Sequence, residues 1–390
     1  MTKGKYIISI VLAVALSLTG CSTGKRQPTG TRPSQMASAP FWGKLLYEIH
    51  STEERENICL SPLSAQLALA MTATGAEGKT LEQMQRTIEL GNEAKELIAE
   101  LNEESSDSEA KLANSIWIND RLSVKEGFIG INKEIFDAEV NTVPFDRQAV
   151  EKINSWCREK TNRKIESIID KVEPMNMMFL INALYFKAPW LEPFKAANTT
   201  KEEFTTSKGK RIKVDMMKQT FTTSYYSDDI IQMVSKPFRE RYEMLFILPC
   251  QGKNTGDAIE HLATSYGECI DSIKRCRIEL TLPKFRSEYD TSLKEALCGM
   301  GMDLPFGERA QFGGISETPL YIDNVIQKSF ISVDEEGAEA AAVTSVSMNM
   351  MSARPQQKIT MTIDRPFLYI IRERKTGSLL FIGKMGNPNE

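Results

Sequence analysis

The chain has 390 residues, 41% hydrophobic and 26% charged, with a formal net charge of −4. This is the composition of a globular protein, and it leaves no basic excess to drive nucleic-acid binding. Only two histidines occur, His50 and His261. Ser-His-Asp and Cys-His chemistry needs a histidine beside the nucleophile, and neither one stands in such a context, so a hydrolase is disfavoured.

The first segment does not belong to the fold. Lys3 and Lys5 precede an apolar run from about Tyr6 to Leu18, and Leu18-Thr-Gly-Cys21 follows. A basic start, a short apolar core and small residues at the end are the pattern of a cleavable leader. The Leu-x-Gly-Cys ending looks like a bacterial lipobox, so residues 1–20 are expected to be removed and Cys21 to be lipidated. Ser22 is not the aspartate that retains such proteins at an inner membrane. The expected location is therefore extracytoplasmic, lipid-anchored at the outer membrane or cell surface of a bacterium. Loss of Lys3 and Lys5 takes the formal charge from −4 to −6. Residues 21–39, rich in Ser, Thr, Gly and Pro, read as a flexible tether, and residues 40–390 as the folded body.

The body opens with an amphipathic helix at Phe41, Leu45, Leu46 and Ile49. A short strand, Ile58-Cys-Leu60, leads into an Ala/Leu-rich helix with Ser61 as N-cap and Pro62 at the first helical position. Residues 79–105 read as helix, Leu112–Ile118 as strand, and 148–170 as helix. Strands dominate the second half: Met177–Phe186, Ile212–Met217, Ile231–Val234, Tyr242–Leu248, Arg277–Leu282, Ile359–Ile363 and Phe367–Ile371. A helix at Ser292–Gly299 interrupts them. The C-terminus pairs Leu368–Arg372 with Leu379–Gly383 across Lys375-Thr-Gly-Ser378, a hairpin turn signal. The class is α+β. Besides Cys21, the six cysteines Cys59, Cys157, Cys250, Cys269, Cys276 and Cys298 form no CxxC and have no histidine at ligand spacing. They read as single buried thiols. No metal and no cofactor is expected.

Several segments together resemble the serpin family. They are Asn57-Ile-Cys-Leu-Ser-Pro-Leu-Ser64, Leu67-Ala-Leu-Ala-Met71, Gly75-Ala-Glu-Gly-Lys-Thr80 and Leu112-Ala-Asn-Ser-Ile-Trp117. Leu180-Ile-Asn-Ala-Leu-Tyr-Phe-Lys187 follows, with Trp190, Pro193-Phe194 and Leu282-Pro-Lys-Phe285. Leu297-Cys-Gly-Met-Gly-Met302, Glu335-Glu-Gly-Ala-Glu-Ala-Ala-Ala342, Arg365-Pro-Phe367 and Phe381-Ile-Gly-Lys384 complete the set, in the family's order. The resemblance implies three β-sheets, about nine helices and an exposed reactive-centre loop at about 338–358. It places Ser61, Ser64 and Asn182 at the shutter beneath the opening sheet and Trp190 at the breach where the loop first enters. Gln327 stands where many members carry histidine. Its amide still donates and accepts hydrogen bonds.

The loop supports the same reading on its own chemistry. From Ala340 to Ala353 there is no proline, glycine or charge. Taken as a strand, one face is Ala338, Ala340, Ala342, Thr344, Val346 and Met348. The other is Glu339, Ala341, Val343, Ser345, Ser347 and Asn349. Such a segment can be solvated as a loop and later buried as a strand. The hinge is then Gly337, Ala338, Glu339, Ala340, Ala341 and Ala342, all small except Glu339. Counting along the family hinge puts the scissile bond at Met351-Ser352, with Met350 and Arg354 as alternatives. Arg354 is followed by Pro355, which disfavours cleavage there.

The implied function is suicide-substrate inhibition of serine-type endopeptidases with elastase-, chymotrypsin- or subtilisin-like specificity. The serpin itself supplies no catalytic residue. The alternative is a non-inhibitory serpin acting as a binding protein. Residues 91–110 carry seven acidic side chains and only Lys95 as a base, so glycosaminoglycan activation is not expected. A monomer is expected.

Overall fold

A computed structural model describes residues 36, 38–88, 94–103, 108–338 and 358–390, and the backbone of 8–17. Two long strands at its centre organise everything else, β5 (Asn176–Pro189) and β12 (Tyr321–Val333). They belong to a sheet of order β11-β12-β1-β5-β3-β4, completed by β1 (Ile8–Ser17), β3 (Glu109–Asn119), β4 (Ala138–Val143) and β11 (Phe285–Ser292). Nearly every residue of β5 is buried on both faces, which explains its continuous apolar run.

The second set of strands is one bent surface. Its first part holds β6 (Thr200–Thr205), β7 (Arg211–Ser227), β10 (Lys274–Pro283) and β14 (Lys358–Thr362). Its second part holds β8 (Ile231–Pro237), β9 (Tyr242–Pro249), β15 (Phe367–Glu373), β16 (Leu379–Met385) and β2 (Ile58–Leu60). Among the described residues, the two parts join where Tyr225–Ser227 at the end of β7 pairs with Gln232–Val234. With the central sheet this gives the three-sheet serpin fold. The C-terminal hairpin forms as read, Phe367 opposite Met385 and Ile371 opposite Phe381.

Eight α-helices are described, against about nine expected: α1 (Phe41–Thr52), α2 (Pro62–Ala73), α3 (Gly78–Ile88), α4 (Ala94–Leu101), α5 (Glu126–Phe136), α6 (Arg147–Lys160), α7 (Thr255–Asp271) and α8 (Lys294–Gly299). Ser61 caps α2 as its sequence demands, its side chain accepting from the Ser64 N–H, with Pro62 at the first position. The single helix read over 79–105 is instead two, α3 and α4. The helix read over 148–170 stops at Lys160, where Asn162 and Arg163 adopt positive φ. The core lies between the central sheet and the bent surface. A smaller cluster covers the other face of the central sheet, where Ile153, Trp156 and Cys157 of α6 meet Trp117, Phe179, Ile181 and Ala183.

Met36 and Ala39, read as tether, are buried against Ala263 of α7, so the folded body starts at about residue 36. Residues 8–17, read as the core of the leader, form β1 between β5 and β12 in the full chain. Extended backbone without proline or glycine satisfies both sheet neighbours, and this segment supplies ten such residues. Cys21 and residues 339–357 lie outside the described residues, and with them Glu339, Ala340, Ala341, Ala342, Met350, Met351, Ser352 and Arg354.

Candidate functional site

The chain leaves β12 through a tight turn, Asp334-Glu-Glu-Gly337. The Asp334 carboxylate accepts the N–H groups of Glu336 and Gly337 at 2.9 and 3.3 Å. Burial raises the Asp334 pKa in spite of those bonds. The turn feeds β13 (Gly337–Ala338), which pairs antiparallel with β5, Gly337 opposite Pro189 and Ala338 opposite Ala188. Gly337 has φ of 150°, and a Cβ there would sit 2.4 Å from the Ala188 carbonyl oxygen and 2.7 Å from the Pro189 Cα. Both neighbours are backbone, so only glycine fits this position.

Trp190 locks this corner. It is fully buried, stacks on Phe238 at 4.3 Å between ring centroids, and donates Nε1–H to the Asp334 carbonyl at 3.0 Å. Its N–H donates to the Glu336 carbonyl at 2.9 Å, and that of Phe194 to the Glu335 carbonyl at 2.8 Å. The Glu335 carboxylate meets the Lys284 ammonium at 2.7 Å and the Thr199 hydroxyl at 2.8 Å. Burial alone would push the Glu335 pKa up, but these two partners outweigh it and hold the carboxyl below its ordinary range. The corner thus ties β5, β12 and the start of β6 to the first two loop residues.

Halfway along the same two strands lies a polar cluster inside the apolar core. Gln327 of β12 is fully buried and bonds the Ser61 backbone twice, donating Nε2–H to its carbonyl at 2.9 Å and accepting its N–H at 3.2 Å. Asn182 of β5 donates to the Asn114 side chain at 2.7 Å, and Asn114 donates to the Phe136 carbonyl at 2.6 Å. Among the described residues, Ser64 Oγ and Asn182 Oδ1 are buried without a hydrogen-bond partner.

The serpin (serine protease inhibitor) family model matches residues 36–388. The chain belongs to the serpin family. A serpin-like protein of Thermococcus kodakarensis is 35% identical over 348 residues, 86% of this chain and 81% of that one. The native-state structure of the thermophilic serpin tengpin superposes with a TM-score of 0.80 at 30% identity, covering 93% of this chain and 97% of that one. Human thyroxine-binding globulin, in complex with thyroxine, superposes with a TM-score of 0.79 at 26% identity, covering 91% and 98%. Serpins in general are inhibitors of serine proteases rather than catalysts.

In this serpin, Ser61, Ser64 and Gln327 are joined by hydrogen bonds, Asn182 bonds Asn114 on the other side of β1, and Gly337, Ala338 and Trp190 meet at the corner. Sequence reading missed Asn114, Glu335–Lys284 and Lys236. The Lys236 ammonium is buried beneath the Trp190 corner. It donates to the Glu192 carbonyl at 2.6 Å and to Gln219 Oε1, and lies 4.2 Å from the Phe221 ring centroid and 4.5 Å from that of Phe194. Burial lowers its pKa from 10.5 to about 7.

The cysteine reading needs correction on two counts. Cys59, Cys157 and Cys269 are buried, but Cys250, Cys276 and Cys298 are only partly so. Burial pushes the Cys59 thiol up to about 12, so it is no nucleophile. Cys269 is not isolated from histidine: the two-turn spacing on α7 and the fold of the β7–β8 turn bring Asp228, His261 and Cys269 together.

Proposed function

We propose that this serpin is a suicide-substrate inhibitor of serine-type endopeptidases, cleaved at Met351-Ser352 and driven by insertion of its loop between β5 and β12. The observation that carries the reading is the shared register of β13 and β1 along β5. Ala338 pairs with Ala188, and Ile8 pairs with Phe186 in the same antiparallel sense. Residues 8–17 therefore trace the path on which loop residues from Ala340 onward would continue.

Continued one for one, that register sets Ala340 beside Phe186, Ala342 beside Leu184, Thr344 beside Asn182, Val346 beside Leu180 and Met348 beside Met178. Directly opposed residues in an antiparallel pair share a face. Phe186, Leu184, Leu180 and Met178 all belong to the main core, so the small and apolar face of the loop would meet that core. The position of Thr344 is that of Leu12, which lies between Asn182 and Gln327. A hydroxyl beside the shutter cluster would meet polar groups rather than hydrocarbon. The loop from Ala338 to Met350 matches β5 down to its first residue, Asn176. That carries an attached protease roughly 43 Å along the sheet, given about 3.3 Å per residue.

Removal of residues 1–20 is part of this proposal, because β1 and the inserted loop cannot share one path. The leader, lipidation of Cys21, a surface or outer-membrane location and a monomeric state are read from the sequence. Cys21→Ala should release the protein from membranes.

The test is incubation of the chain lacking residues 1–20 with proteases of elastase-, chymotrypsin- and subtilisin-like specificity, followed by denaturing electrophoresis. A heat- and detergent-stable adduct is expected, with a released fragment starting at Ser352. Cleavage without adduct would point to the second reading, a binding protein. The likeness to thyroxine-binding globulin favours that reading; the small hinge residues Ala338, Ala340, Ala341 and Ala342 oppose it.

A further inference from the structure

The turn between β7 and β8 faces α7, and three side chains with metal-binding atoms converge there. Asp228 Oδ2 lies 2.7 Å from His261 Nε2, and Cys269 Sγ lies 3.7 Å from the same nitrogen. The three donor atoms all lie within 4.8 Å of one another. Convergence on one ring nitrogen decides between two chemistries. A Cys-His-Asp relay would place thiol and carboxylate at opposite nitrogens, so that the ring could take a proton from one side while held from the other. Two groups facing one nitrogen surround a point, as ligands surround a cation.

We propose that Asp228, His261 and Cys269 bind one divalent cation of the zinc type. The donor set of thiolate, imidazole and carboxylate suits zinc, whereas calcium and magnesium take oxygen alone. Tetrahedral zinc with ordinary bond lengths holds sulfur and nitrogen about 3.6 Å apart. The observed 3.7 Å already fits. The Asp228–His261 hydrogen bond would open by roughly half an ångström to admit the ion.

The carboxylate is oriented before any ion arrives. Asp228 Oδ1 accepts the N–H groups of Ile230 and Ile231, both at 2.8 Å, and the Tyr226 hydroxyl donates to Oδ2 at 2.7 Å. Partners of this kind fix metal ligands in place. Cys269 is fully buried, while the side chains of His261 and Asp228 keep 16% and 26% exposure. The site is therefore open to solvent on its carboxylate and imidazole side, which leaves room for a fourth, water ligand. A bound ion would pin α7 to the junction where β7 passes from one part of the bent surface to the other.

The experiment uses the full-length chain, stripped with a chelator and titrated with zinc and with cobalt(II) as a spectroscopic probe. One ion per chain is expected, with a thiolate-to-cobalt charge-transfer band. Zinc should raise the thermal midpoint. Cys269→Ser should abolish the band, and His261→Gln should weaken affinity at least about tenfold. Cys250→Ser should change neither, although Cys250 Sγ lies 3.5 Å from the Asp228 carbonyl oxygen. Should Cys269→Ser fail to fold, His261→Gln and Asp228→Asn decide, since both replace partly exposed side chains. Absence of the band in the unaltered chain, or full affinity in both variants, overturns the proposal.

Discussion

Gly337 and Lys236 are the two residues whose chemistry is most constrained at the hinge corner. A side chain at Gly337 would collide with the backbone of Ala188 and Pro189, and its φ of 150° is strained for any other residue. Gly337→Ala should loosen the β13–β5 pairing. On the proposed mechanism it should raise the number of inhibitor molecules consumed per protease trapped, measured by titration against a fixed amount of enzyme. Lys236 gives a pH dependence. Its folded pKa of about 7 lies below its ordinary 10.5, so between these values the unfolded chain holds the proton that the folded chain has lost. Stability then rises with pH across that window, and the full cost of burying the charge applies below about pH 7. Lys236→Met removes that dependence at the loss of the bonds to Glu192 and Gln219. The thermal midpoint of the variant relative to the parent should be highest at pH 6 and fall steadily toward pH 10. A difference that stays flat over this range would show that Lys236 is not desolvated as described.

At the scale of elements, the path along β5 decides the outcome. Proline at Ala342 would remove a ladder donor beside Leu184, in a strand with neighbours on both sides. It would leave Met351 untouched. Ala342→Pro should therefore be recognised and cut at a similar rate but form no stable adduct, turning inhibitor into substrate. Electrophoresis over a time course would check this, and an undiminished adduct would rule out insertion along this path. How much of the fold was legible also differs by element. The Ser61 cap, the β15–β16 hairpin and the apolar run of β5 follow from local rules, and each formed where the sequence placed it. β12 was not read as a strand, although it is half of the central site. Its buried Gln327 and Ser329 put polar side chains on the face that would otherwise read as apolar, and Ser332 does the same on the other face, so the alternation that marks a strand is lost. Lys284–Glu335 and Asp228–His261–Cys269 were illegible for a different reason. Their members lie far apart in the chain or on a helix face, and only the fold sets them side by side.

For the molecule as a whole, the proposed mechanism reverses an ordinary expectation. A nick in a loop adds chain entropy to the unfolded state and usually lowers stability. Here a nick near Met351 should let the loop add a strand to the central sheet, with hydrogen bonds to both neighbours and burial of Val346 and Met348. The thermal midpoint should rise markedly. The paired lengths of β5 and β12, 14 and 13 residues, match the loop from Ala338 to Met350. The most direct measurement is amide hydrogen exchange across residues 176–186 and 321–330, made on the chain lacking residues 1–20 before and after cleavage at Met351. The account predicts slow exchange along both strands after cleavage and faster exchange before it, with the largest change around Asn182 and Gln327. Unchanged exchange on cleavage would contradict it, because no strand would then have entered between them.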